Sequence, residues 1–188
     1  YLFTISHYGD PNFTYSQNAY MPCFFKTTDG GATWTGPTMV SLNNMDTILG
    51  TPQTGYVWSM LFEFDVVLDN NDNPHLISNV FMLDPVAGQY LAGAGAFGVC
   101  DIYSNDGGTS WFGKFLSTTQ TYQGVWDDNA GSTAADRTRP ALSRNAAGDK
   151  IFYVYFDTDT IANPGSENVL PDAWCIGYDL TSGLETPL

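Results

Sequence analysis

The chain has 188 residues, enough for one domain with a sizeable core. Six Lys and Arg residues stand against 20 Asp and Glu residues, which gives a formal net charge of −14. This balance argues against nucleic acid and anionic membrane surfaces as partners, because both need clustered cations. No apolar run is long enough for a transmembrane helix, so direct membrane insertion is not expected.

The first predicted element is a strand over Leu2 to His7, where a signal peptide would show a longer apolar run. Any export signal is therefore expected to have been removed or to lie outside this segment. Aromatic residues make up 15% of the chain, and Gly, Asn, Thr and Ser are frequent. This composition is typical of short strands and tight turns, and no stretch has helical periodicity. The sequence predicts an all-β fold.

The three cysteines mark an internal repeat. Cys23 and Cys100 are 77 positions apart, and Cys100 and Cys175 are 75 apart. An oxygen-bearing side chain follows each cysteine four positions later, and a glycine follows eight positions later. We therefore expect the cysteines to occupy one small buried position in equivalent strands. Disulfide, metal-binding and reactive-thiol interpretations are less consistent with this pattern.

Two hairpins support the same period. Val66–Ile77 and Ala141–Phe152 are offset by 75 positions, and each reads as strand, polar turn and strand. Leu2–His7 is the expected return strand of the first copy. Each unit then has a hairpin, a long loop, a cysteine strand, a sharp turn and a last strand. The predicted repeats cover approximately 1–60 (incomplete), 61–135 and 136–188 (incomplete), all within one domain over 1–188.

The sharp turn has a specific chemistry in the first two copies. A short Asp side chain can accept backbone N–H groups just ahead of it, and glycine adopts positive φ without steric cost. The Trp that ends each turn is expected to cover the core of its sheet, with its indole N–H capping a carbonyl. The predicted structural residues are Thr27, Asp29, Gly31, Trp34, Ser104, Asp106, Gly108 and Trp111.

These two turns resemble the Asp box, or BNR repeat, of sialidase-like β-propellers. Both match Ser/Thr-x-Asp-x-Gly-x-Thr/Ser-Trp throughout, whereas Asp179–Thr186 is degenerate, with Thr181 in place of the Asp and Thr186 in place of the Trp. The resemblance implies a β-propeller of four-stranded antiparallel blades, with about two and a half blades in this fragment. It also implies an exported protein of the bacterial surface type, and turns that lie away from the central site.

The sequence does not predict a catalytic site. The resemblance to sialidases implies three arginines from different blades, a Tyr–Glu pair and an acid Asp. Here Arg137, Arg139 and Arg144 all lie on or beside one strand, and no Glu has a convincing Tyr partner. We expect these arginines to bond local carboxylates such as Asp136 or loop carbonyls. Enzymatic activity stays open, and if present it is expected to be glycoside hydrolysis.

No metal site or cofactor is predicted, although two features leave alternatives. Asp69–Asn73 alternates oxygen-bearing side chains and leaves calcium open, although its counterpart Asn145–Gly148 has lost the carboxylates. His7, expected to start a loop, and His75, in a hairpin, read as ordinary strand-end residues. Asp157–Asp159 reads as a solvated loop.

Aromatic residues on the polar loops carry the functional hypothesis. They can stack on sugars or anchor a protein interface, or they can pack against the sheet edges. They are Tyr8, Phe13, Tyr15, Tyr20, Tyr122 and Trp126. The main hypothesis is a non-catalytic module that binds another protein in a surface or secretion assembly, as part of an extracellular or bacterial cell-surface protein. The alternative is a carbohydrate-active or glycan-binding domain with key residues outside this fragment.

Overall fold

A computed structural model describes residues 1–8, 16–42, 52–89, 91, 97–117, 125–126, 133–134, 138–157, 161 and 172–186. The described residues form strands and turns without a helix, which confirms the all-β prediction. No membrane-spanning helix is found among them. The strands belong to three larger antiparallel sheets and one short pair.

Each larger sheet is built from strands in chain order. The first sheet contains β1 (Leu2–Tyr8), β2 (Ser16–Lys26) and β3 (Thr35–Met39). The second contains β4 (Val57–Leu68), β5 (Pro74–Leu83), β6 (Phe97–Tyr103) and β7 (Phe112–Ser117). A short pair follows, β8 (Val125–Trp126) and β9 (Thr133–Ala134). The third sheet contains β10 (Ala141–Arg144), β11 (Lys150–Asp157) and β12 (Asp172–Asp179).

The second sheet has the order of elements that the repeat predicts. A hairpin, β4–β5, comes first, and the cysteine strand β6 and the last strand β7 follow. β1 pairs with the cysteine strand β2, and β11 pairs with the cysteine strand β12, as β5 pairs with β6. β4 begins at Val57, slightly ahead of the repeat boundary expected at 61. The strand order within each sheet is therefore that of a repeated unit.

The second sheet lies between the other two and packs on both. On one side, Phe24 from the first sheet joins Trp58, Met60, Leu76 and Cys100 in an apolar cluster. On the other side, a second cluster joins residues of the second and third sheets: Ile77, Val99, Ile151, Tyr153, Tyr155 and Ile176. Because alternate side chains of a strand point to opposite faces, one central sheet can contribute to both clusters.

The cysteines are only partly as predicted. Cys23 and Cys100 are buried at 3% and 0% exposure, but Cys175 is exposed, and none of the three forms a disulfide. Cys175 pairs with Val154, whose neighbours Tyr153 and Tyr155 pack on the second sheet. Cys175 therefore faces the opposite side of the third sheet, and its predicted burial is wrong.

The reason is the pairing of the last two strands. Cys100 pairs with Ser78 and Cys175 pairs with Val154, so the cysteines are 75 positions apart but their partners are 76 positions apart. A shift of one residue turns every following side chain to the other face of a strand. The spacing of the cysteines follows the sequence repeat, so it does not indicate this change of face.

Two smaller predictions also need correction. His7 lies within β1, where it pairs with Tyr20, and does not start a loop. Asp157 ends β11 with 3% exposure, and its carbonyl accepts the Trp174 indole N–H at 3.1 Å, so it is not part of a solvated loop. Asp159 lies outside the described residues.

Candidate functional site

The first turn, Thr27–Trp34, is closed by hydrogen bonds to its Asp. The Asp29 carboxylate accepts the Thr33 backbone N–H at 2.9 Å and the Thr33 hydroxyl at 2.6 Å. The Thr27 hydroxyl accepts the Gly31 N–H at 2.9 Å. Gly30 and Gly31 have φ of 71° and 94°, a region that a side chain would disfavour. The sequence motif and the backbone of the turn therefore agree residue by residue.

The second turn, Ser104–Trp111, repeats this arrangement. Asp106 accepts the Ser110 N–H at 2.8 Å, and Ser104 accepts the Gly108 N–H at 2.8 Å. The Trp111 indole donates to the Gly108 carbonyl at 3.1 Å, and the Trp34 indole donates to the Gly31 carbonyl at the same distance. The expected bonds from backbone N–H groups to both Asp residues are confirmed.

These hydrogen bonds hold both carboxylates in the ionised form. The Thr33 hydroxyl and backbone N–H lower the pKa of Asp29 to about 2, and the Ser110 backbone N–H is the main cause of a pKa of about 2 for Asp106. A folded-state pKa below the ordinary value of 3.8 means that each carboxylate stabilises the fold above that pH. That contribution is lost as the pH falls from about 4 to about 2.

The two Trp rings differ in their surroundings. Trp111 packs on the first sheet, with ring centroids 6.0 Å from Phe3 and 5.5 Å from Phe24. Trp34 is 48% exposed, so the expectation that it covers a core is wrong. Trp111 packs on the preceding sheet, and no described sheet lies on the corresponding side of Trp34.

The third turn replaces the motif with a different Asp. Asp179 accepts the N–H groups of Thr181 at 2.9 Å and Ser182 at 3.1 Å, and it also contacts the Lys150 ammonium. Thr186 accepts the Gly177 N–H at 2.8 Å. The carboxylate that closes this turn therefore lies two positions before Thr181, the residue aligned with the Asp of the motif.

The second turn also fastens neighbouring elements. The Gly107 carbonyl accepts the Tyr1 hydroxyl and the Lys26 ammonium, each at 2.7 Å. The Gly107 N–H donates to the Asn73 side chain at 3.0 Å. These contacts join the turn to the first sheet and to the β4–β5 loop.

A buried polar cluster, which we call the interlock, joins the second and third sheets. It consists of His75, Asp101 and Tyr153, at 3%, 2% and 1% exposure. His75 Nδ1 lies 2.9 Å from Asp101 Oδ2, and the Tyr153 hydroxyl donates to the same oxygen at 2.6 Å. Burial is the main cause of the strongly raised pKa of Tyr153. The interlock therefore joins β5 and β6 to β11 through one carboxylate oxygen.

The surroundings of the interlock are aromatic and enclosed. The Tyr103 ring stacks on His75 with centroids 5.5 Å apart and an interplanar angle of 10°. Lys114 lies over the Tyr178 ring at 4.4 Å and contacts Glu185, and burial lowers its pKa. A His–Asp pair in this setting has no open face for a substrate, so its geometry fits a structural link between sheets.

The sequence analysis missed the interlock because its members are far apart in the chain. Asp101 is 26 residues from His75 and 52 residues from Tyr153. The signal in the sequence is weak. It consists of His75 near the start of β5 and Asp101 directly after the cysteine of β6. Only the register of the strands brings these positions onto one face.

A second candidate lies at a β-bulge in β4. The register shifts between Met60 and Phe64, so the intervening residues stand opposite Asn79 in β5. Phe62 in the bulge is 63% exposed, and its ring lies 4.8 Å from Tyr20 at an interplanar angle of 61°. Bulges re-aim side chains and occur often beside functional sites.

The bulge also contacts a strained residue before β10. Glu63 Oε2 accepts the Arg139 backbone N–H at 3.0 Å. Arg139 has φ of 40°, which is unusual for a residue with a side chain and more so before Pro140. Residues in such conformations cluster at ligand clamps and active sites. We call Tyr20, Phe62, Glu63 and Arg139 the bulge patch.

Of the other two arginines, Arg144 makes an expected bond and Arg137 is not described. The Arg144 guanidinium donates to the Asp69 carbonyl at 3.0 Å, as expected for a loop carbonyl. The Glu63 carboxylate accepts the backbone N–H of Arg139. Arg137 and Asp136 lie outside the described residues.

The calcium hypothesis concerned the Asp69–Asn73 loop. Asp69 Oδ1 accepts the N–H groups of Asn71 at 2.7 Å and Asn73 at 2.8 Å, and Oδ2 accepts the Asn73 amide at 3.1 Å. Both oxygens therefore close the hairpin loop. The described residues contain no group of three or more metal-ligating side chains, and calcium stays a hypothesis.

The loop aromatics are described only in part. Tyr20 belongs to the bulge patch and contacts His7, with ring centroids 5.0 Å apart. Phe13, Tyr15 and Tyr122, and the side chains of Tyr8 and Trp126, lie outside the described residues. For these five residues, the described structure therefore does not distinguish a binding role from packing against the sheet edges.

Comparison with known proteins does not assign this chain to a group: no family model, curated protein or solved structure matches it.

Proposed function

We propose that the chain is a segment of an Asp-box β-propeller in an exported protein, where it acts as a non-catalytic module that binds another protein. Two turns with the same sequence motif and the same hydrogen bonds support the propeller, as does the stacking of sheets in chain order. A regular series of small antiparallel sheets is the architecture of a propeller.

The exposure of Phe62 carries the proposal of binding. An aromatic ring that is 63% exposed loses contact with water only when a partner covers it. Tyr20 supports the ring from one side, and the bond from Arg139 to Glu63 holds the bulge beside it. Aromatic residues and Arg dominate the energetically important centres of protein interfaces. The bulge patch contains both aromatic residues and an Arg, and the Arg139–Glu63 bond fixes the backbone beside them.

Three observations favour binding over catalysis at the described residues. The His75–Asp101 pair is enclosed between two sheets. The Glu63 carboxylate accepts the Arg139 backbone N–H, and the Arg144 guanidinium donates to the Asp69 carbonyl. Glycoside hydrolysis needs two carboxyl groups that face each other across an open cleft. None of these side chains is placed for that role.

Site-specific photo-cross-linking tests the proposed surface. Phe62 is replaced with benzoylphenylalanine, which keeps an aromatic ring, and the protein is irradiated in cells of the organism that encodes it. We expect an adduct of one discrete size, because the ring would lie against a single partner protein. The matched control carries the same probe at Val86, a loop position with 88% exposure. Mass spectrometry identifies the attached protein.

Two results would contradict the proposal. Equal adducts at positions 62 and 86, or none at 62, would show that Phe62 is not at an interface. Turnover of a fluorogenic sialoside by the purified protein, lost in Arg139→Ala, would replace the binding module with an enzyme. We expect no turnover by either protein.

A further inference from the structure

The edge of the first sheet at β1 lacks the strand that the second sheet has at the same place. β1 pairs with the cysteine strand β2, with Thr4 opposite Cys23. β5 pairs with the cysteine strand β6 in the same way, with Ser78 opposite Cys100. β5 also pairs with β4 along its other edge, whereas no described strand pairs with that edge of β1. An unpaired edge presents backbone N–H and C=O groups that can bind another strand.

Leu2 shows the consequence of this open edge. Because Thr4 corresponds to Ser78, Leu2 corresponds to Leu76, two positions earlier in each strand. Leu76 is fully buried, and Val66 of β4 lies opposite it. Leu2 is 57% exposed, and no described strand lies beside it on the open edge. The same position of the repeat is therefore covered in the second sheet and uncovered in the first.

A groove lies beside the open edge, between β1 and β4. Its volume is about 310 Å³, and its walls are residues 1–3 and 64–68. One wall belongs to the first sheet, and the other belongs to the first strand of the second sheet. A strand that paired with β1 would therefore lie in this groove and contact β4.

The contact between the second and third sheets shows how such a groove is filled. There, β4 pairs with β5 and contacts β10, the first strand of the third sheet. The Asp65 carboxylate accepts the Leu142 N–H of β10 at 2.8 Å, and Val67 packs on the cluster that joins the two sheets. Val67 lies opposite His75, and Asp65 lies opposite Ile77. A carboxylate and an apolar side chain two positions apart therefore make this contact.

We propose that the groove binds an extended strand of the same protein, from outside residues 1–188, with the acid and apolar pattern of β4. Tyr1 corresponds to His75, so the apolar residue of the incoming strand lies opposite Tyr1. Phe3 corresponds to Ile77, so the carboxylate lies opposite Phe3. There it accepts an N–H group on the open edge of β4, as the acid of β4 does for β10. Backbone pairing supplies affinity, and the alternate side chains supply specificity.

The topology favours the same protein as the source of this strand. β4 and β10 are the first strands of the second and third sheets, and each belongs to the chain that supplies the rest of its sheet. The incoming strand completes the first sheet in the same way. This inference rests on the proposed function, because it treats the three sheets as repeats of one propeller segment.

Fluorescence anisotropy with a labelled peptide tests the groove. The probe is a synthetic copy of residues 63–70, which carries the acid and apolar pattern. We expect saturable binding to the purified chain. Asp65→Ala in the peptide should weaken binding severalfold, because the carboxylate that accepts the β4 N–H is lost.

N-methylation of the peptide tests the pairing of the backbone. In β4 the Val66 N–H is bonded to the Asp65 side chain, so the neighbouring Val67 N–H points to the partner strand. A methyl group on the Val67 nitrogen should therefore weaken binding about tenfold or more. The matched control carries the methyl group on the Val66 nitrogen and should bind nearly as well as the unmodified peptide.

Variants of the protein locate the peptide and separate the groove from the bulge patch. Leu2→Asp should weaken binding about tenfold or more, because it places a charge beside an apolar residue of an acidic strand. Val86→Asp and Phe62→Ala should bind the peptide like the unaltered chain, so a failure of the bulge patch leaves this result intact. Circular dichroism checks each fold, and the two methylated peptides keep the test valid should Leu2→Asp fail to fold.

The source of the strand is tested with the full-length protein. We expect it not to bind the peptide, because its own strand occupies the groove. Equal binding by the full-length protein would overturn the proposed source and indicate a strand from a separate protein. Self-association of the chain that the peptide abolishes would indicate a second copy instead. No binding to the chain of residues 1–188, or equal binding of the two methylated peptides, would overturn the groove as a strand site.

Discussion

Replacement of Asp101 with Leu is expected to lower the free energy of unfolding by about 2–5 kcal/mol. Leu has a similar size but accepts no hydrogen bond, so the Tyr153 hydroxyl and His75 Nδ1 both lose their partner in the interior. A buried donor without an acceptor costs about 1–3 kcal/mol. Urea denaturation followed by tryptophan fluorescence measures the change.

A double-mutant cycle gives this prediction its control. Tyr153→Phe alone removes one donor and is expected to cost about 1 kcal/mol. Asp101→Leu should cost less in the Tyr153→Phe background, because Phe leaves no hydroxyl stranded. Asp172→Leu removes an exposed carboxylate and should have little effect. Additive costs for the two interlock substitutions would show that Asp101 and Tyr153 are not coupled.

Replacement of Trp58 with Ala is expected to destabilise the fold by about 3–5 kcal/mol. Trp58 is fully buried between the first and second sheets, with its ring 5.7 Å from Phe115. Removal of the indole deletes apolar contacts and leaves a cavity that rigid sheets fill only in part. Denaturation with urea measures the loss.

Trp34→Ala is the matched control for Trp58→Ala. The same atoms are removed from a ring that is 48% exposed, so the measured loss should be much smaller. A similar loss for both variants would contradict the burial of Trp58 between two stacked sheets.

The features that could be predicted from the sequence are those fixed by short-range chemistry. The turn at Asp29 is closed by residues within the same eight positions, so its motif predicts its hydrogen bonds directly. The strand at Leu2 follows from its alternating pattern, and the strand at His75 follows from the polar turn before it and the apolar residues after it. Such local signals are independent of how the sheets meet.

The features that escaped prediction depend on strand register and on neighbouring sheets. Cys175 faces outward because its partner in β11 is shifted by one position, although its spacing in the sequence fits the repeat. The exposure of Phe62 arises from a bulge that no local sequence motif predicts. The exposure of Trp34 depends on which sheet lies beside its turn. Each of these outcomes is decided by contacts between distant residues.

The rotation that relates successive sheets tests the central claim of a propeller segment most directly. An experimental structure of the chain allows the rotation from the first sheet to the second, and from the second to the third, to be measured. A propeller of four to eight blades predicts one shared axis and two equal rotations of about 45–90°. Unequal rotations, or sheets aligned within about 30° as in a sandwich, would contradict the account.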